Sequence, residues 1–96
     1  MNSYESMIVL VPELSDSEYT KVIDSIKEKI AALDGEVVET VTWGKRTLSY
    51  EIQKKKEGYY LINYFSLDPA EVKELERFYQ LNENILRYNV LRINED

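Results

Sequence analysis

Apolar positions along this chain switch between a period of two and a period near 3.6, and the switches delimit its elements. Residues 4–11 form a largely apolar run ended by Pro12, which predicts a first strand. Ser15-Asp16-Ser17-Glu18 is a capping box, with Ser15 at the N-cap and Glu18 at N3. Tyr19, Val22, Ile23, Ile26, Ile30 and Leu33 then recur at helical spacing, and Gly35 is expected as the C′ stop.

Residues 37–53 read as a strand with a fault in its phase. Val37, Val41 and Trp43 are apolar at odd positions, Leu48, Tyr50 and Ile52 at even ones. A β-bulge or a tight turn at Gly44 accounts for the change, because Gly takes positive φ without penalty. A bulge there is expected to put both sets on one core-facing side. Lys54-Lys55-Lys56 reads as a charged hairpin tip, Gly58 as a turn glycine, and 59–67 as the next strand. Asp68, Pro69 and Glu71 open a second helix as cap, N1 and N3. Its apolar positions are Val72, Leu75, Phe78 and Tyr79, with Asn82 at its end, and residues 85–93 form a last strand.

The order β-α-β-β-α-β is the split βαβ pattern, a ferredoxin-like α+β fold. Right-handed crossovers put two helices on one face of a four-stranded antiparallel sheet. The expected strand order is fourth, first, third, second, within a single domain spanning 1–96. Ile8, Leu10, Leu61, Phe65, Leu67, Leu86, Tyr88 and Val90 are expected to face the helices. The other face collects Met7, Val9, Val11, Tyr60, Ile62, Tyr64, Arg87, Asn89, Leu91 and Ile93. The strand at 59–67 is apolar on both sides, yet 96 residues are too few to cover both faces of one sheet. One face is therefore left for a partner, and an apolar patch of that kind marks an interaction site.

Composition removes most chemistry. There is no Cys and no His, so disulfides, thiol or imidazole catalysis and the usual zinc ligands are excluded, and no cofactor or metal is expected. Carboxylate pairs such as Glu36/Glu39 and Glu74/Glu76 lie on expected solvated faces, and no Gly-rich phosphate loop is present. No catalytic residue is assigned, and an acylphosphatase-type enzyme is disfavoured by Val11-Pro12-Glu13-Leu14 after the first strand. No run of about 18 apolar residues spans a membrane, and no secretory signal opens the chain, so a cytoplasmic location is expected. The net charge of −6 argues against gripping nucleic acid by bulk electrostatics and suits a highly basic protein partner, with secondary contacts to RNA phosphates. Gly58, Tyr59 and Tyr64 fit an RNA-recognition motif, whereas Glu57, Tyr60 and Leu61 do not. Trp43 and Tyr50 flank the phase fault in an edge strand and are candidates for partner contact.

Tyr4-Glu5 leading into Ile8-Val9-Leu10 and Pro12, Gly44-Lys45-Arg46-x-Leu48-x-Tyr50-x-Ile52, Glu57-Gly58-Tyr59-Tyr60 and Asn84-Ile85-Leu86-Arg87-Tyr88 resemble protein six of the bacterial small ribosomal subunit, over essentially the whole chain. The resemblance implies the same split βαβ fold with a long bulged second strand. It also implies an assembly protein that pairs with the small basic subunit protein eighteen and, with it, binds the central domain of the small-subunit rRNA. By position, Arg46, Leu48 and Tyr50 match the family's bulged edge motif and are the candidates for protein contact beside Trp43. Arg87 matches the basic residue of the last strand and is the candidate for phosphate contact; Arg92, Asn2 and Tyr60 are further candidates for the RNA surface. The competing class is a ligand-binding regulatory or protein-interaction domain on the same fold. It would carry a glycine-bearing polar loop where this chain has Pro12-Glu13-Leu14.

Overall fold

The capping box forms as its spacing predicts. In the computed structural model, which describes residues 1–93, the Glu18 amide donates to Ser15 Oγ at 3.3 Å and the Ser15 amide to Glu18 Oε1 at 3.0 Å. Two orphan donors of the first turn are thereby satisfied. The backbone amide of Ser15 also holds the Glu18 carboxyl below its ordinary pKa. Helix α1 (Asp16–Ala32) buries Tyr19, Val22, Ile26 and Ile30, the expected stripe.

The helix ends one residue earlier than expected. Asp34, not Gly35, takes the left-handed conformation, with φ 63. The Asp34 amide donates to Ala31 O at 3.0 Å and the Gly35 amide to Ile30 O at 2.9 Å, the two bonds of a Schellman motif. Gly35 is needed for space instead. A Cβ there would sit 2.7 Å from the Ser66 carbonyl oxygen and 2.9 Å from Ile30 Cγ2.

Strands β1 (Asn2–Leu10), β2 (Glu36–Ile52), β3 (Lys55–Leu67) and β4 (Ile85–Ile93) form one antiparallel sheet in the order β2-β3-β1-β4, as the crossover argument requires. Asp68 accepts from the Ala70 amide at 2.9 Å and starts a 3-10 turn, Pro69–Glu71, that runs into α2 (Val72–Leu81). The core lies between helices and sheet: Ile8, Leu10, Leu61, Phe65 and Leu67 meet Ile26, Ile30, Leu75 and Tyr79. Two polar pairs lie on the helix side of the sheet, the first buried and the second half-buried at the β2 edge. Ser6 Oγ lies 3.1 Å from Tyr79 Oη, and Thr40 Oγ1 donates to Asn63 Oδ1 at 2.6 Å. Burial pushes the Tyr79 phenol up to about 12.

Tyr88 and Val90 pack on the core as expected, but Ile85 takes the place expected for Leu86. The register between β1 and β4 shifts between Val9 and Leu10, so that Val9 pairs with Arg87 and Leu10 with Ile85. Leu86 is the extra residue. Val11 lies past the end of β1, where its amide donates to Asn84 O at 2.9 Å.

Candidate partner-protein and nucleic-acid interface

Strand β2 is an edge strand broken by bulges. Val37 pairs with Phe65 and Glu39 with Tyr64, which leaves Val38 unpaired and 71% exposed. Thr42 pairs with Leu61 and Gly44 with Tyr60, which leaves Trp43 unpaired and 46% exposed. Gly44 has φ 79, so the bulge sits where the phase fault pointed and uses the freedom of glycine. The expected common side is not formed, however. Val37 faces the helices with Phe65, whereas Val41 pairs with Ile62 on the open face. The bulge at Val38, which no glycine marks, inverts the phase before Gly44 does so again.

Beyond Thr47 the strand leaves the ladder and rejoins it only where Ile52 pairs with Lys55. In this arch Leu48 is 9% exposed while Tyr50 is 59% exposed. Leu48 and Val9 both close over Gly58: a Cβ at 58 would collide with Val9 Cγ1 and lie 3.5 Å from Leu48 Cδ2. Gly58 is therefore a strand residue kept small by its cover, not a turn glycine. The turn is Gln53-Lys54, with φ 50 and 66, the two positive values of a type I′ hairpin turn. Lys55 Nζ pairs with Glu13 Oε1 and fastens the hairpin to the loop between β1 and α1. That bond holds the Glu13 carboxyl below its ordinary pKa.

The candidate RNA residues separate into two groups. Tyr60, Val9 and Arg87 form one row across β3, β1 and β4 on the open face, with Gly44 at its β2 end. Arg87 Nη1 donates to Tyr50 Oη, and its Cζ lies 5.7 Å from the Tyr50 ring centroid. A residue assigned to RNA and one assigned to a protein partner thus touch. Arg92 pairs with Tyr4 and Asn2 with Leu67, both core residues, so these two lie on the helix side of the sheet. Asn2 Nδ2 donates to Tyr4 Oη at 3.4 Å. Arg87 and Arg92 are on opposite faces, about 17 Å apart along β4 at roughly 3.4 Å per residue.

Among the protein-contact candidates, Trp43, Arg46 and Tyr50 are exposed, and the Arg46 guanidinium donates to Lys45 O at 3.1 Å. Leu48 is different: it is covered, and it shapes the arch from beneath. The expected open-face patch is likewise smaller than its residue list, since Val9 and Ile62 are buried while Leu91 is exposed. Glu5 and Glu39 both neighbour Tyr64 on the same face, so its far end is acidic and its arch end, with Arg46 and Arg87, basic. Among the described residues no group of His, Cys, Asp or Glu side chains is placed to hold a metal ion, and no helix is long and apolar enough to cross a membrane.

A bulged second strand on a split βαβ sheet is what the sequence resemblance implied. The model of the family described as Ribosomal protein S6 matches residues 3–92. The chain belongs to the ribosomal protein S6 family. It is 42% identical over 95 residues to small ribosomal subunit protein bS6 of Caldanaerobacter subterraneus, covering 99% of this chain and all of that one. Small ribosomal subunit protein bS6 of Streptomyces griseus is 42% identical over 92 residues, with 96% of each chain covered. The crystal structure of 30S ribosomal protein S6 from Thermotoga maritima superposes with a TM-score of 0.91 at 31% identity, over 96% of this chain and 87% of that one. The S6 family consists of structural components of the small ribosomal subunit, which locates the chain in the ribosome rather than among enzymes.

Proposed function

We propose that this S6-family chain enters the small subunit as one half of a pair: it docks the basic small-subunit ribosomal protein eighteen, and the pair binds the central domain of the small-subunit rRNA. The observation that carries this reading is the bulged and arched edge of β2, which presents exposed Trp43, Arg46 and Tyr50 on a body of net charge −6. Aromatic and arginine side chains are the residue types that dominate protein interfaces. An acidic body needs a basic partner before it approaches phosphates closely. In this reading Trp43, Arg46 and Tyr50 meet the partner, Leu48 holds their backbone in place, and Arg87 with Tyr60 faces the RNA. Asn2 and Arg92, on the other side of the sheet, serve a second and separate RNA contact.

The test is co-purification of the tagged chain with protein eighteen, with and without RNase. A one-to-one complex that survives RNase supports direct protein docking. A complex that dissolves with the RNA contradicts it.

A further inference from the structure

The contact between Tyr50 and Arg87 joins two sheet edges that are not neighbours. Tyr50 belongs to β2 and Arg87 to β4, with β3 and β1 between them. The contact exists because the arch leaves the ladder after Thr47 and carries the Tyr50 ring over the open face. Arg87 is exposed, and among the described residues it has no carboxylate partner; the ion pairs are Lys29–Glu74 and Lys55–Glu13. Tyr50 therefore orients the guanidinium through its hydroxyl and its ring face without neutralising its charge. Among the described residues no carboxylate is within ion-pair distance of it, and Glu76 lines the same cavity without pairing. An arginine held in this way keeps its remaining donors free for a phosphate, and less side-chain freedom is lost when they are used.

We propose that Tyr50 is a positioning residue for Arg87, and that this clasp couples the two interfaces: a protein seated on the β2 arch fixes Tyr50, and Tyr50 fixes the guanidinium that meets RNA phosphate. The coupling rests on the functional reading given above; the clasp itself does not. Linkage makes the effect reciprocal, so RNA engaged by Arg87 also tightens the hold of the partner on the arch. Tyr50 then has a role that neither a plain protein contact nor a plain RNA contact describes.

Two measurements test this. In the free chain, the Arg87 δ-methylene protons should show a ring-current shift that survives Tyr50→Phe and disappears in Tyr50→Leu. Absence of that shift in the parent protein overturns the clasp. The second uses the full chain with purified protein eighteen and an rRNA central-domain fragment, with affinity followed against salt. Arg87→Gln should lower the log–log slope by about 0.7–0.9, the loss of one phosphate contact. Tyr50→Leu should lower it as well, Tyr50→Phe much less, and the Tyr50→Leu/Arg87→Gln double variant should fall no further than Arg87→Gln alone. A Tyr50→Leu complex with an unchanged slope, or effects that add, overturns the coupling while leaving the pair reading intact. If the parent pair does not bind the fragment, the pair reading itself fails and the coupling with it, while the proton shifts still decide the clasp.

Discussion

The Val9 side chain occupies the space that a side chain at Gly58 would need, and Leu48 closes the same space from the arch. The packing beneath the arch thus leaves no room for a Cβ at 58 while Val9 stays where it is. Gly58→Ala must push Val9 aside beneath Leu48, which a new Cβ would only touch, and overpacking of this kind typically costs about 1–3 kcal/mol. We expect a lower urea midpoint together with a loss of partner affinity larger than the stability change explains. A Gly58→Ala protein with parental affinity would show that the arch is not set by this packing.

Gly44 poses the opposite case. No atom lies within 4 Å of a Cβ built there, but its φ is 79. Any penalty at this position is conformational. Gly44→Val should cost about 1–3 kcal/mol, because a β-branched residue resists this region. Gly44→Asn should cost less, since Asn visits positive φ more readily. Hydrogen exchange should locate the disturbance in β2 and β3 rather than in the helices. Equal penalties for Val and Asn would contradict a purely conformational role.

Ile26 is fully buried at the centre of the stripe of α1. Ile26→Ala should cost about 2–5 kcal/mol, a large share of the stability of a small domain. Urea unfolding measures it, and a change near 0.5 kcal/mol, usual for surface positions, would remove Ile26 from the core.

Most of this core was legible because its signals are local. The Ser15/Glu18 box and the stripe of α1 depend on residues a few positions apart and form as spacing predicts. Asp68 also caps, but it caps a 3-10 turn ahead of α2, whose own N-terminus has no side-chain cap. What was not legible depends on a neighbour distant in sequence. Ile85 replaces Leu86 in the core because of a register shift opposite Val9 and Leu10. Val41 turns to the open face because of a bulge at Val38 that no glycine announces. Asp34 and the Gln53-Lys54 pair take positive φ although glycines stand nearby, and two of those glycines, Gly35 and Gly58, are required by packing instead. At the candidate site, the place of Trp43 and Tyr50 on an edge strand was legible, but their exposure was not, since the phase of the strand put both on a core-facing side. The contact of Tyr50 with Arg87 was not legible either, because it spans two intervening strands.

The buried phenol of Tyr79 sets an alkaline limit. Its folded-state pKa is about 12, raised by burial above the ordinary 10. Between those values the unfolded chain releases a proton that the folded chain keeps, so stability falls as pH rises through that window. One pKa unit corresponds to about 1.4 kcal/mol, so the contribution lost is on the order of 2–3 kcal/mol. Tyr19, raised in the same direction by burial, adds to the slope. Tyr79→Phe should flatten the fall in urea-measured stability from pH 10 to 12. An unchanged slope in that variant would show that Tyr79 does not carry it.

The division of labour between an acidic docking protein and a basic partner is tested most directly by affinity for an rRNA central-domain fragment at physiological salt. The chain should be measured alone and then with protein eighteen. Alone, with net charge −6, it should bind weakly; with the partner, binding should become tight and fall steeply as salt is raised. Tight binding by the chain alone, or a partner that adds nothing, would contradict it.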